Sequence, residues 1–161
     1  MKLMVLLVVA LATAALFDQS ATLQALQPSA QSVAISAAAT QFLAYRSAVM
    51  AFTTANPTFT GTIQPSQLSV YAPQYSSTFI TMYSVSNAVT TSGTGVLVTV
   101  YAALPGGSVQ SVLVQSNNDA SIGLSAGTTW TTDANGVVTS PQPLNVTVPV
   151  GDVVSVFKTG N

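Results

Sequence analysis

Ser29–Pro57 reads SAQSVAISAAATQFLAYRSAVMAFTTANP. Its apolar residues Ile35, Ala38, Phe42, Tyr45, Val49 and Phe52 recur three or four positions apart, so they line one stripe of a helix. Ser29 or Ser32 caps the start, and Asn56-Pro57 ends the run, because the residue before proline is pushed out of the helical region. The spacing predicts a helix over about residues 30–54. Two occupants compete for the stripe, the protein's own sheet and another subunit. The second makes Phe42, Tyr45, Arg46, Val49 and Phe52 a candidate partner-docking face.

From Gly61 onward the hydrophobic period shortens to two. Phe79–Val85, Val96–Leu104, Val109–Gln115, Thr128–Thr132, Leu144–Val148 and Val153–Phe157 are rich in β-branched and aromatic residues, and each reads as a strand. Pro105-Gly106-Gly107 and Asp133-Ala134-Asn135-Gly136 read as tight turns, which favours antiparallel pairing. Ser86–Gly95 has Val89 as its one large apolar residue and reads as a loop. Leu144, Val146 and Val148 alternate with Asn145 and Thr147, the pattern of a sheet with one wet face. The dry face needs a cover, and the 30–54 stripe supplies it.

Toward the N-terminus, Lys2 precedes the charge-free apolar stretch Leu3–Phe17, LMVLLVVALATAALF, which Asp18 closes. A positive flank before such a run marks a segment for export. One reading is a cleaved leader, since the run is short for a span and Ala12-Thr13-Ala14 fits a small-x-small cleavage site. The other is an uncleaved membrane anchor with Lys2 in the cytoplasm. Residues 1–28 are thus an anchor or signal segment, and 29–161 a helix-plus-sheet domain carried across the inner membrane. The expected class is α+β: an N-terminal hydrophobic helix, one amphipathic helix, and an antiparallel β-sheet packed on it, a pilin-like plan.

Composition narrows the chemistry. Among 161 residues there are three bases (Lys2, Arg46, Lys158), four acids (Asp18, Asp119, Asp133, Asp152), and no Glu, His or Cys. No imidazole base, thiolate, disulfide or His/Cys metal site is available, so neither a cofactor nor a metal is expected. Three scattered cations cannot neutralise a phosphate backbone, which excludes nucleic acid as a partner. Ser, Thr, Asn and Gln supply more than a third of the chain, while 48% of it is hydrophobic, so it folds behind an uncharged polar exterior. A formal charge of −1 offers little self-repulsion and permits homo-oligomers.

Site-like motifs dissolve on inspection. Asn117-Asn118-Asp119 and Asp133–Gly136 lack the ligand spacing of a calcium loop and suit chain reversal instead. Gly93-Thr94-Gly95 and Pro105-Gly106-Gly107 lack a phosphate-loop lysine. A Ser/Lys dyad built on Lys158 is uninformative with 19 serines to choose from. Asn145-Val146-Thr147 matches a glycosylation sequon inside a predicted strand. Arg46, the one arginine, either holds a carboxylate or carbonyl of a neighbouring element or lies solvated on the helix's polar face. Trp130 reads as a core anchor of the sheet. The chain is expected not to be an enzyme.

The apolar N-terminus, the helix QFLAYRSAVMAFTTANPTFTGTI (Gln41–Ile63) and the small-residue-rich strand region ending VPVGDVVSVF (Val148–Phe157) together resemble the PilM proteins of type IVB pilus systems. The family in question is the small membrane-associated PilM encoded with thin pili, not the actin-like ATPase that shares the name. The resemblance is most specific where Tyr45-Arg46 is followed by Ala51-Phe52, Asn56-Pro57, Gly61 and Ile63. It implies a structural component of pilus biogenesis, in the basal body or in pilin transport, whose partners are other pilus-assembly proteins or pilin. A processed pilin is disfavoured, because the apolar run starts at residue 3 and the chain has no Glu.

The leading expectation is therefore an inner-membrane protein with its domain in the periplasm, acting through anchoring and protein–protein contact. Strand addition at an uncharged sheet edge is one expected mode. The alternative is a periplasmic or secreted surface-filament or binding protein, minor-pilin-like, whose leader is removed. A hydrolase using Ser and Asp ranks third.

Overall fold

The computed structural model describes residues 29–71, 75–133 and 138–160. The chain divides into two units, Met1–Val33 and Ala34–Asn161, and the sheet with its core belongs to the second. Leu3–Phe17 lies outside the described residues. Among the described residues, no helix is long and apolar enough to cross a membrane.

Helix α1 spans Ala30–Ala55, one residue past the expected end. At its start the Ser29 hydroxyl accepts from the Ser32 N–H at 3.2 Å. At its end the Asn56 side-chain amide and backbone N–H both donate to Phe52 O at 2.9 Å, closing the last turn before Pro57. Of its stripe, Ala38, Phe42, Tyr45, Val49 and Phe52 are buried, in one cluster with Val89, Val96, Val98, Val100 and Val153 of the sheet. Each large apolar side chain buried this way contributes about 2 kcal/mol. The stripe thus covers the protein's own sheet.

Two short helices follow, α2 (Pro65–Leu68) and α3 (Ser77–Met82), then strands β1 (Ser86–Ser92) and β2 (Gly95–Ala102), helix α4 (Ser108–Gln115), and strands β3 (Ile122–Ser125), β4 (Thr129–Thr131), β5 (Gln142–Pro143) and β6 (Val153–Thr159). The sheet order is β1-β2-β6-β3-β4-β5, with every pairing antiparallel. The last strand therefore sits between β2 and β3, with Val98 opposite Phe157 and Ile122 opposite Ser155.

The α+β class and the antiparallel sheet match expectation; several elements do not. Phe79–Val85 is not a strand. Ser76 caps a helical turn there, its hydroxyl accepting from the Phe79 N–H at 3.1 Å, and Phe79 is buried from that turn. Val109–Gln115 is helix α4, with Ser108, Val112 and Leu113 buried at helical spacing while Val114 is 74% exposed. Pro105-Gly106-Gly107 consequently leads from a strand into a helix rather than through a hairpin, with Gly107 left-handed (φ 85°) at the N-cap. The amphipathic helix expected to stand alone has three companions among the described residues.

Ser86–Gly95 is not a loop but β1 and its hairpin turn, Ser92 pairing with Gly95 across Gly93-Thr94. Gly93 takes φ 63° there, as a two-residue hairpin requires. Asp133–Gly136 falls mostly outside the described residues, yet the Thr139 N–H donates to Thr132 O at 2.9 Å across it.

The second face of the sheet is not simply wet. Trp130, Leu144, Val148 and Val154 form a smaller cluster there, flanked by Tyr101, Val146 and Val156. Leu144–Val148 keeps its in-out alternation without being a strand. It is pinned at its ends, the Leu144 N–H on Thr128 O at 2.8 Å and the Val148 N–H on Gly127 O at 2.9 Å. Pro143 and Pro149 bracket it and block continued pairing. A β-carbon on Gly123 would strike the Thr131 carbonyl oxygen and come within 2.9 Å of the Trp130 ring, so the ring's place requires glycine.

A polar clasp joins the two layers. The buried Asn87 side-chain amide donates to Tyr45 Oη (2.7 Å) and Ile63 O (2.9 Å), and its oxygen accepts from the Ile63 N–H (2.8 Å). Burial pushes the Tyr45 hydroxyl above its usual pKa, against the opposing effect of the Asn87 bond. Asn87→Ala strands three buried polar groups at once, and we expect it to lower unfolding stability by about 3 kcal/mol, read from urea denaturation. Faster amide exchange at Gly61 and Ile63 would accompany the loss; unchanged stability and exchange would show that the clasp carries no weight.

Candidate interaction site

Arg46 follows Tyr45 by about 100° around α1 and reaches toward β6 and the turn after α4. Its Nε donates to Ser155 Oγ on β6 at 2.7 Å, and its Nη2 donates to Asp119 Oδ2 at 2.7 Å and Ser121 Oγ at 2.9 Å. The guanidinium also lies 5.4 Å from the Phe157 ring centre. Asn117 and Asn118 are both left-handed (φ 58° and 57°), which turns the chain after α4 and presents Asp119. The Ser121 N–H donates to Asp119 Oδ1 at 2.9 Å. Burial works to raise the Asp119 pKa, but the Ser121 N–H and hydroxyl and the Arg46 charge outweigh it and hold the carboxyl below its ordinary value. Of the two readings of Arg46, carboxylate holder and solvated side chain, the structure shows the first.

The residues of the candidate docking face are therefore occupied within the chain. Phe42, Tyr45, Val49 and Phe52 are at most 7% exposed, and the Arg46 side chain is 13% exposed.

Both sheet edges are partly blocked, which narrows the room for the expected strand addition. On β1, Val89 exchanges both backbone hydrogen bonds with Gly61 (2.8 and 2.9 Å), and the next position along, Asn87, holds Ile63 with its side chain. On β5, Gln142 pairs toward β4, which leaves Pro141 and Pro143 in the outward alternation. Neither has an N–H to offer, so this edge presents no donor there. The Pro-Gln-Pro spacing was the sequence signal that this edge is partly blocked.

The described residues include two open depressions. One, of about 230 Å³, lies between α1 and α3, lined by Ala34, Ala37, Phe79, Met82 and Tyr83 among others, with Met82 64% exposed. The other, of about 220 Å³, lies between α4 and β3–β4, lined by Val109, Gln110, Gly123, Leu124, Thr131, Thr132, Asp133 and Val138. There Gln110 Nε2 donates to Asp133 Oδ2 at 3.3 Å. Among the described residues no group of three or more potential ligands gathers to hold a metal. Trp130 is 7% exposed in the second-face cluster and lines neither depression.

Asp152 differs from Asp119 in its electrostatics. It is a buried carboxylate, and burial pushes its pKa above the ordinary value.

A family model described as PilM matches residues 5–156 of the chain. No curated protein and no solved structure matches it.

The two carboxylates give opposite pH dependences. Asp119, depressed when folded, stabilises the fold above the ordinary value of 3.8, and that stability is lost as pH falls through its lower folded value. Asp152, raised when folded, disfavours folding once pH exceeds its folded value, and the penalty disappears below 3.8. Asp152→Asn should therefore raise the melting temperature at pH 7 and give no gain at pH 3. Arg46→Lys keeps the charge but loses the planar fork, and should cost about 2 kcal/mol at pH 7 by chemical denaturation. A variant as stable as the parent in either case would refute the corresponding assignment.

Proposed function

Since the chain belongs to the PilM family of type IVB pilus systems, we propose that it is a non-enzymatic structural component of the pilus biogenesis apparatus, in its basal body or in pilin transport. In this reading Leu3–Phe17 holds it in the inner membrane, and the helix-plus-sheet domain works in the periplasm on other assembly proteins or pilin. The observation that carries the reading is the family match itself. It begins at residue 5, inside the apolar run, and so takes in most of the hydrophobic segment.

The domain's polar chemistry supports the same reading. Its one ion pair among the described residues, Arg46–Asp119, is spent on packing three elements together, and its buried amide Asn87 on joining helix to strand. Groups committed to scaffolding in this way favour a part that is docked against over one that turns over a substrate.

Fractionation of cells carrying the full chain tests the placement. The protein should stay with the inner membrane through carbonate washing, be digested by protease in spheroplasts but not in intact cells, and keep the intact mass of residues 1–161. Deleting the gene should abolish pili. Recovery of a soluble cytosolic protein, or normal piliation in the deletion, would overturn the proposal, and a mass lacking the first residues through about Ala14 would replace the anchor with a cleaved leader.

A further inference from the structure

The depression between α4 and β3–β4 has the chemistry of a receptor for a basic side chain. Val109, Leu124 and Val138 give it aliphatic walls, with Leu124 39% and Val138 69% exposed. Asp133 supplies a half-buried carboxylate whose one hydrogen bond among the described residues comes from Gln110. That bond uses the Gln110 nitrogen and leaves its oxygen to accept. Thr132, also in the lining, is 3% exposed and its hydroxyl has no partner among the described residues. A volume of about 220 Å³ is many times the roughly 15 Å³ that one water needs, so the depression has room for the end of a long side chain. Apolar walls suit a methylene stem, and several acceptors suit an ammonium, which carries three donors and no acceptor.

The chain carries its own candidate for that side chain. Of its three bases, Lys2 lies outside the described residues and Arg46 is committed to Asp119, Ser121 and Ser155. Lys158 is exposed near the end of β6 and has no partner among the described residues. Of the acids, Asp18 lies outside the described residues, Asp119 is paired and Asp152 is buried, which leaves Asp133 as the counterpart of Lys158 among the described residues. On β6, Phe157 belongs to the α1-side cluster, so Lys158, the next residue, points to the other face. The Asp133 depression, lined by α4, opens on the helix-bearing side. We propose that Lys158 of one copy of this chain enters the Asp133 depression of another, a head-to-tail contact between unlike surfaces. Contacts of this kind propagate into rings or filaments rather than closing as a two-fold dimer. The proposal goes beyond the pilus-assembly reading and does not depend on it.

The test uses full-length protein in detergent, an equal mixture of ordinary and 15N-labelled chains, treated with a water-soluble carbodiimide that condenses amines with carboxylates. Mass spectrometry of chymotryptic peptides should find Lys158 joined to Asp133, with about half of the pairs carrying one label on each side, as random pairing of copies gives. Lys158→Gln and Asp133→Asn should each remove that product and weaken self-association about five-fold in sedimentation. The exchanged variant Lys158→Asp/Asp133→Lys should recover association that each single change loses, with unchanged circular dichroism throughout. Pairs carrying a single label only, no Lys158–Asp133 product, or no self-association would each overturn the proposal. So would crosslinking in cell envelopes that joins Asp133 to a lysine of a different protein instead of to Lys158.

Discussion

The rotation of α1 about its own axis is set by two consecutive side chains, Tyr45 and Arg46. Hydrophobic burial alone is non-directional, and a stripe of Ala, Val and Phe tolerates many rotations over a valine-rich sheet. The polar tips do not. Tyr45 must meet Asn87 on the edge strand β1, and Arg46 must meet Ser155 on β6 and Asp119 in the turn after α4. With β2 lying between β1 and β6, these bonds straddle β2 and hold the helix across these three strands. Either group misplaced would leave a buried amide or a largely buried guanidinium unpaired, at a cost of a few kcal/mol. The polar pairs therefore specify a single arrangement of a core whose apolar contacts would accept several.

The same scarcity of charge shapes the rest of the molecule. Where other proteins protect a sheet edge with lysine, this one uses backbone and proline: Gly61 pairs with Val89 at one edge, and Pro141 and Pro143 remove the donors at the other. A weakly charged protein with open edges would be at risk of edge-to-edge aggregation, and these devices reduce that exposure. Helix α1 is filled by its own sheet, which leaves the depressions and exposed side chains around the domain as its open surface.

Much of the fold was legible because some signals are strictly local. The α1 stripe, its Asn56-Pro57 stop and the strands Val96–Leu104 and Val153–Phe157 follow from period and β-branching, and the structure places elements there. The misassigned segments share a physical cause. Phe79–Val85 and Val109–Gln115 are rich in β-branched residues, but Ser76 as a cap in the first case and the spacing of Val109, Val112 and Leu113 in the second favour helical turns that tertiary packing then selects. In Leu144–Val148 alternation arose from a segment lying on the sheet's second face, which periodicity alone cannot separate from a strand in it. The partner of Arg46 was not readable, because Asp119 lies 73 positions away and reaches it only through two consecutive left-handed asparagines.

The proposed contact between copies also has to satisfy an energetic constraint. A solvent-exposed ion pair contributes at most about 1 kcal/mol, so Lys158 and Asp133 alone would not hold two domains together. What distinguishes the Asp133 depression is its aliphatic lining, where a lysine stem removes apolar surface from water while the ammonium stays beside the carboxylate. Even so, a contact of this size is weak between freely diffusing molecules. It becomes effective when copies are confined to one plane, because confinement raises the effective concentration of each for its neighbour without adding any contact. Head-to-tail pairing of a nearly neutral domain is thus weak but measurable between free molecules at high concentration, and stronger where copies share a surface. The single unpaired cation and the single accessible unpaired carboxylate among the described residues would give that pairing a direction.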